Sequence, residues 1–278
     1  MEILLALAAA GTYGVADYCG GRATRSLSAI TVTAIGQTAG LVTVLFIVLI
    51  QGTPLPPVSD WLLGGLAGVI GATGLLSFYK AMASGFMRVS APISAVTAAS
   101  LPVIVGLSTG ERPGLLALIG IPLALVSIVM VSDMFGPGHR RPPRAVVVMS
   151  VAAGCAFGSI FILLRHSSDG SGMWPVVAMR AASVPYMMVV MYVTKQTIAG
   201  VRRHKTVVLG SGILDSLANA LYLAAVRHGL MSIVAVIISL YPASTLMLAT
   251  GLDKEKVHRS QGIGLGVAAV ALVLIMLA

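Results

Sequence analysis

Charge is what this sequence has least of. Only 10% of its 278 residues are Asp, Glu, Lys or Arg, against about 25% in a typical soluble domain. With 57% hydrophobic residues and a mean hydropathy of +0.97, an ordinary water-soluble fold is excluded. Acids are scarcer than bases, 9 against 18, giving a net charge of +9. In a soluble chain that excess would point to nucleic acid, but aromatic residues make up only 5% and no basic stretch is interleaved with them. Cysteine is nearly absent too. Cys19 and Cys155 lie in different apolar segments and form neither a CxxC pair nor a disulfide framework. The histidines, His139, His166, His204, His228 and His258, fall in or beside loops with no two at metal-ligand spacing. No metal and no cofactor are indicated.

What the chain does have is long uncharged runs. No charge occurs between Arg25 and Asp60, from Val89 to Gly110, from Pro113 to Ser132, from Gly229 to Leu252, or after Arg259. At roughly 20 residues per crossing, these runs predict ten spans: 3–18, 27–49, 61–83, 89–107, 115–131, 145–164, 174–193, 206–226, 231–250 and 261–277. Ten spans leave no room for a soluble domain. The first run has no basic stretch before it and no cleavage site after it, so it reads as a retained span. Open strands would leave backbone donors unpaired in lipid, and the runs lack the alternation of a barrel wall, so the spans must be helices. The expected fold is an all-helical integral membrane protein. Gly64, Gly68, Gly71 and Gly74, with Gly262 and Gly266, read as close-packing surfaces. Pro92, Pro102, Pro122, Pro185 and Pro242 fall inside spans and should kink them.

The chain also repeats itself. At an offset of about 144 residues, Ala10-Gly11-Thr12-Tyr13-Gly14 falls on Gly154-Cys155-Ala156-Phe157-Gly158, Tyr79-Lys80-Ala81 on Tyr222-Leu223-Ala224, and Glu111 on Glu255. The division is 1–138 and 139–278, with five spans in each half. Because five is odd, the second half enters the membrane in the opposite sense. An inverted repeat of this kind is how many secondary transporters build alternating access.

The motifs now resemble a known family. Tyr13-Gly14 and Phe157-Gly158 in the first helix of each half, Arg180 in the second, the Tyr79 and Tyr222 stretches late in the third, and a fourth helix running from Pro242 to Glu255 look like the EamA type of the drug/metabolite transporter superfamily. The resemblance covers essentially the whole chain. It implies a ten-helix secondary carrier of small metabolites, often an exporter, with a central cavity. It fixes no substrate. Two departures stand out: Gly36 where the second half has Arg180, and Ala99 near the place of Pro242.

Alternate loops divide the bases unevenly. One side would carry Arg22, Arg25, Lys80, Arg88, Arg140, Arg141, Arg144, Lys195, Arg202, Arg203, Lys205, Lys254, Lys256 and Arg259, and the other only Arg112, Arg165 and Arg227. The positive-inside rule places the rich side in the cytoplasm and both termini outside, whereas the resemblance implies cytoplasmic termini.

Ionisable groups within spans are costly and mark function by default. Arg180 and Asp215 stand out, at roughly 9 and 16 Å from one membrane face, close enough to meet. Three readings remain open: an ion pair pinning two helices, Asp215 as a proton or cation site, or Arg180 as a bidentate anchor for a substrate carboxylate. Asn219 and Tyr222 continue a helical stripe from Asp215. Tyr79, Ser77, Gln37, Tyr13 and Tyr241 are further candidates for substrate binding or coupling. Asp17 reads as a wet residue at the end of its helix, and Glu111 and Glu255 as caps on the next helix or partners of Arg112 and Lys256. The partners implied are the lipid bilayer of the cell membrane, a small-molecule substrate and a coupling ion or proton, with no nucleic acid. An enzyme on a lipid-linked substrate would need clustered His, Asp or Ser groups at a membrane face, and the sequence offers none. A structural subunit would make the repeat incidental.

Overall fold

The computed structural model describes residues 1–131, 142–252 and 258–278, without the side chains of Met87, Arg88, Ala249 and Leu252. His139, Arg140, Arg141, Lys254, Glu255 and Lys256 lie outside the described residues. The fold is all helical: α1 (Glu2–Ala23), α2 (Ala29–Gln51), α3 (Val58–Ala81), α4 (Met87–Ser108), α5 (Leu115–Val131), α6 (Arg144–Arg165), α7 (Trp174–Val193), α8 (Val201–Val226), α9 (Met231–Ile238), α10 (Tyr241–Leu252) and α11 (Arg259–Met276). A π-helical turn, Met82–Phe86, joins α3 to α4. Among the described residues, nine stretches are long and apolar enough to cross a membrane, and α5, at 17 residues, is a shorter apolar helix. The protein is a multi-pass membrane protein.

Local chemistry sets the ends. Ser28 caps α2 by accepting the Thr31 N–H, and Gly52, at φ 60°, stops it in the left-handed region that glycine adopts without strain. The prolines that follow cannot continue a helix. Two predicted ends are off by several residues. α1 continues to Ala23 rather than stopping at Tyr18, because Gly20 and Gly21 stay helical. α8 begins at Val201 rather than Thr206, its first turn carrying Arg202 and Arg203, with a kink at His204.

Of the five prolines within spans, only Pro242 coincides with a break. Pro92, Pro102, Pro122 and Pro185 sit inside continuous helices. The span predicted over 231–250 is instead two helices, α9 and α10, separated by Ser239 and Leu240. Pro242 supplies no N–H for the Ile238 carbonyl four residues back, so the helical ladder is interrupted there.

The loops gather at two ends. At the first end Trp174 Nε1 donates to the Thr53 carbonyl at 3.2 Å, and Glu111 accepts from the Met231 and Ser232 N–H groups at 2.7 and 3.0 Å. At the second end Thr31 Oγ1 donates to the Thr197 carbonyl, and Gln261 Nε2 to the Val131 carbonyl. Successive crossings therefore alternate in direction. Glu111 caps α9, not the helix that follows it, so the sequence expectation is corrected: the carboxylate finds orphan donors on the opposite half of the chain.

Packing obeys the same offset as the sequence. α1 lies along α8 as α6 lies along α3; α2 lies along α8 as α7 lies along α3; α4 lies along α6 as α9 and α10 lie along α1; and α5 pairs with α11. Small residues bring these helices close. Gly64 and Gly68 face the backbone of α7, and Gly71 and Gly74 face Ile160 and Ala156 of α6, where any Cβ would collide. Gly262 and Gly266 do not act this way, since nothing lies within 4 Å of a Cβ at either position. Gly264 makes the contact instead, against Met130 and Val131 of α5.

Candidate functional site

The centre of the bundle is not filled. A cavity lies there, with about 630 Å³ of space free of protein atoms when its open mouth is counted. Its walls come from α1 (Tyr13, Asp17), α2 (Gln37), α3, α4 (Ala98), α6 (Phe157, Phe161), α7 (Arg180), α8 (Asp215, Asn219) and the α9–α10 break (Ile238, Ser239, Tyr241). The first four helices of each half contribute, and neither α5 nor α11 does.

Arg180 organises the polar wall. Residue 180 is 3% exposed, and its guanidinium is held from two sides: Nη2 bonds Asp215 Oδ2 at 2.5 Å, and Nη1 donates to Gln37 Oε1 at 2.5 Å. Ser183 Oγ donates to the same Gln37 oxygen at 2.7 Å. These charge-assisted bonds fix the side chain in one pose. They join three helices, α2, α7 and α8. Arg180 Nε has no partner among the described residues.

The helices can converge because two glycines meet between α2 and α8. A Cβ on Gly212 would run into the Gly36 carbonyl. On the next turn Asn219 Nδ2 donates to the Asp215 carbonyl at 2.8 Å, which leaves Asn219 Oδ1 as a buried acceptor without a partner among the described residues.

The predicted stripe on α8 divides. Asp215 and Asn219 face the cavity, but Tyr222 does not: it is fully buried, stacked on Phe161 with centroids 4.5 Å apart, and its hydroxyl donates to the Phe161 carbonyl at 2.5 Å. Tyr222 is a packing residue. Ser77 is also off the cavity, with its hydroxyl bonded back to the Thr73 carbonyl on the same helix. Tyr79 lines a smaller neighbouring cavity with Gln37, Ser211 and Asp215. Gln37, Tyr13 and Tyr241 line the main cavity.

The residue sequence reasoning misplaced is Asp17. It is not a wet helix-end residue but part of the cavity wall. A signal existed: Asp17 is four positions beyond Tyr13 on one helix face. The early end assigned to α1 concealed it. Ser239, at the α9–α10 break, was also missed, and its hydroxyl is buried without a partner among the described residues.

The first end of the bundle is tied across the halves. Asp60, at the start of α3 and 1% exposed, accepts from the Ser168 N–H at 3.2 Å, from the Ser168 hydroxyl at 3.3 Å and from the Ser171 hydroxyl. The Trp61 and Trp174 rings lie 5.6 Å apart below it. Arg227 Nη2 donates to the Ser168 carbonyl. Burial lowers the Arg227 guanidinium from its ordinary pKa, opposed by the charges of Asp169 and Asp60.

Among the described residues no group of three or more His, Cys, Asp or Glu side chains could hold a metal. The site offers one base, two acids, amide and hydroxyl groups, and aromatic walls. That equipment suits reversible binding of a small solute.

Comparisons with known proteins agree with this architecture. No curated protein matches the sequence. One solved structure, described only as a crystal structure of a protein, is similar in fold with a TM-score of 0.77 at 15% identity, covering 99% of this chain and 96% of that one. The sequence profile of the EamA-like transporter family matches residues 1–133 and again 144–277. A membrane protein matched over nearly its whole length by that profile belongs to the EamA-like transporter family, within the drug/metabolite transporter superfamily.

Proposed function

We propose that the protein is a secondary carrier that moves a small polar or amphipathic metabolite across the cell membrane by alternating access, as an exporter or exchanger. The two halves, 1–138 and 139–278, are read as inverted repeats that rock against each other around the cavity. A gradient of an ion, a proton or a counter-solute would supply the energy.

One observation carries this reading: the cavity is bounded by the first four helices of both halves, and Arg180 and Asp215 stand in its wall. Charges inside a membrane bundle are costly to retain without use. A cavity shared evenly between two oppositely inserted halves is where alternating access places its substrate. Asp215, Arg180, Asn219, Gln37, Tyr13 and Tyr241 are the residues proposed to bind or couple.

The test is counterflow in proteoliposomes holding the purified protein, run against amino acids, sugars, nucleosides and organic cations, with Asp215→Asn beside wild type. Saturable exchange of one class, lost in the variant, is the expected result. Turnover of a lipid-linked substrate without exchange would favour a membrane enzyme instead.

A further inference from the structure

The cavity wall is unbalanced in charge. Among the described lining residues the ionisable groups with a full charge are Asp17, Arg180 and Asp215. Arg180 and Asp215 neutralise each other at 2.5 Å. Asp17 makes no hydrogen bond and no ion pair among the described residues, so an ionised Asp17 leaves the cavity with a net charge of −1.

One leftover hydrogen-bonding group has the same bias. Asn219 Oδ1 is a buried acceptor without a partner among the described residues, and its role is fixed because the amide nitrogen is engaged by the Asp215 carbonyl. Ser239, 1% exposed, presents a hydroxyl without a partner among the described residues. It sits where the helical ladder breaks before Pro242. Against these stands Arg180 Nε, an N–H without a partner among the described residues, on a guanidinium whose two terminal nitrogens each already donate once, to Gln37 and to Asp215. A carboxylate arriving here would meet a guanidinium already paired with Asp215, whose like charge opposes it. An ammonium would find an open carboxylate, an open amide oxygen and the aromatic side chains of Tyr13, Phe157 and Phe161 in the wall.

We infer that the cavity takes an organic ammonium ion, with Asp17 as its counter-charge and Asn219 and Ser239 as hydrogen-bonding partners. This rests on the carrier reading and names its substrate class. The Arg180–Asp215 pair then acts as a fixed polar wall and not as an anion anchor.

The test measures equilibrium binding to the purified full chain in detergent at neutral pH, with labelled phenethylamine as probe. Unlabelled phenethylamine, phenylalanine, 3-phenylpropionate and NaCl serve as competitors. The cation should compete best, the zwitterion less well and the anion least. Asp17→Asn should weaken probe binding roughly thirtyfold or more, and Asp17→Glu should restore most of it. Competition by 3-phenylpropionate equal to that of phenethylamine would overturn the inference. So would unchanged affinity in a folded Asp17→Asn, or displacement by Na⁺ at the concentration of the amine. If Asp17→Asn fails to fold, the competitor order and the Asp17→Glu variant decide alone. Absence of probe binding to the folded wild type also overturns it. Counterflow of an anionic or neutral class in that same preparation would leave the carrier reading standing, and absence of counterflow of every class would remove both.

Discussion

Removing Asp215 should cost more than removing both members of its ion pair. At an effective dielectric constant of about 20, unit charges separated by the 2.5 Å between Arg180 Nη2 and Asp215 Oδ2 attract by roughly 7 kcal/mol. Desolvating the two groups costs several kcal/mol each, so the intact pair is close to neutral for stability. The singles are different. The Arg180 side chain is 4% exposed and that of Asp215 20%, so Asp215→Ala leaves the more deeply buried charge with only Gln37 to accept from it. We expect a loss of about 3 kcal/mol for Asp215→Ala and about 2 kcal/mol for Arg180→Met, because a stranded Asp215 still reaches solvent. The double variant should lose about 2 kcal/mol, so that the two sites couple by about 3 kcal/mol. Thermal unfolding in detergent, read as the soluble fraction against temperature, should show this as a Tm about 6 °C lower for Asp215→Ala and about 4 °C lower for the other two. Additive losses in the double variant would refute the pairing, since uncoupled sites cannot share a bond.

Other perturbations separate packing from binding. Tyr222→Phe removes the bond to the Phe161 carbonyl and should cost about 1 kcal/mol, visible in Tm, while leaving probe affinity within twofold of wild type, roughly the scatter expected for a residue outside the cavity. Glu111→Ala deprives the Met231 and Ser232 N–H groups of their acceptor and should cost about 2 kcal/mol; hydrogen exchange at those two amides should speed up before the rest of the bundle. Gly212→Val drives a side chain into the Gly36 backbone and should cost about 3 kcal/mol, with probe binding lost because Gln37 and Asp215 ride on the two helices forced apart. A cysteine placed at exposed Lys195, on the end rich in Lys and Arg, should resist a membrane-impermeant maleimide in intact cells and react after lysis.

The fold was legible because the lipid imposes so few solutions. Uncharged runs of span length give ten crossings, and the observed helices agree with them closely at ends such as Leu115, just after Arg112 and Pro113, and Trp174, just before Pro175. The misses occur where polar residues continue a helix, in the basic first turn of α8 and the Gly-Gly-Arg end of α1. The site was half legible. Arg180 and Asp215 announce themselves by charge, and their spacing predicts the contact. Facing is harder: Asn219 and Tyr222 are three residues apart on one helix, yet one turns to the cavity and the other into aromatic packing. A continuous apolar background gives no moment to tell such faces apart. The Pro242 break was visible as a proline, but four other prolines leave their helices unbroken.

The packing of the fourth helices has a consequence for biogenesis. α4 lies against α6 and α9, and the α9–α10 pair lies against α1 and α4, with Glu111 closing the start of α9. Each half thus lends a segment to the other, in the manner of a domain swap within one chain. Neither five-helix half could complete its interior by itself, so the first half emerging from the ribosome must wait, inserted but unfinished, for the second. Two fragments divided within 132–141 and made together should find each other in the membrane and rebuild the whole, whereas either made alone should be cleared by quality control.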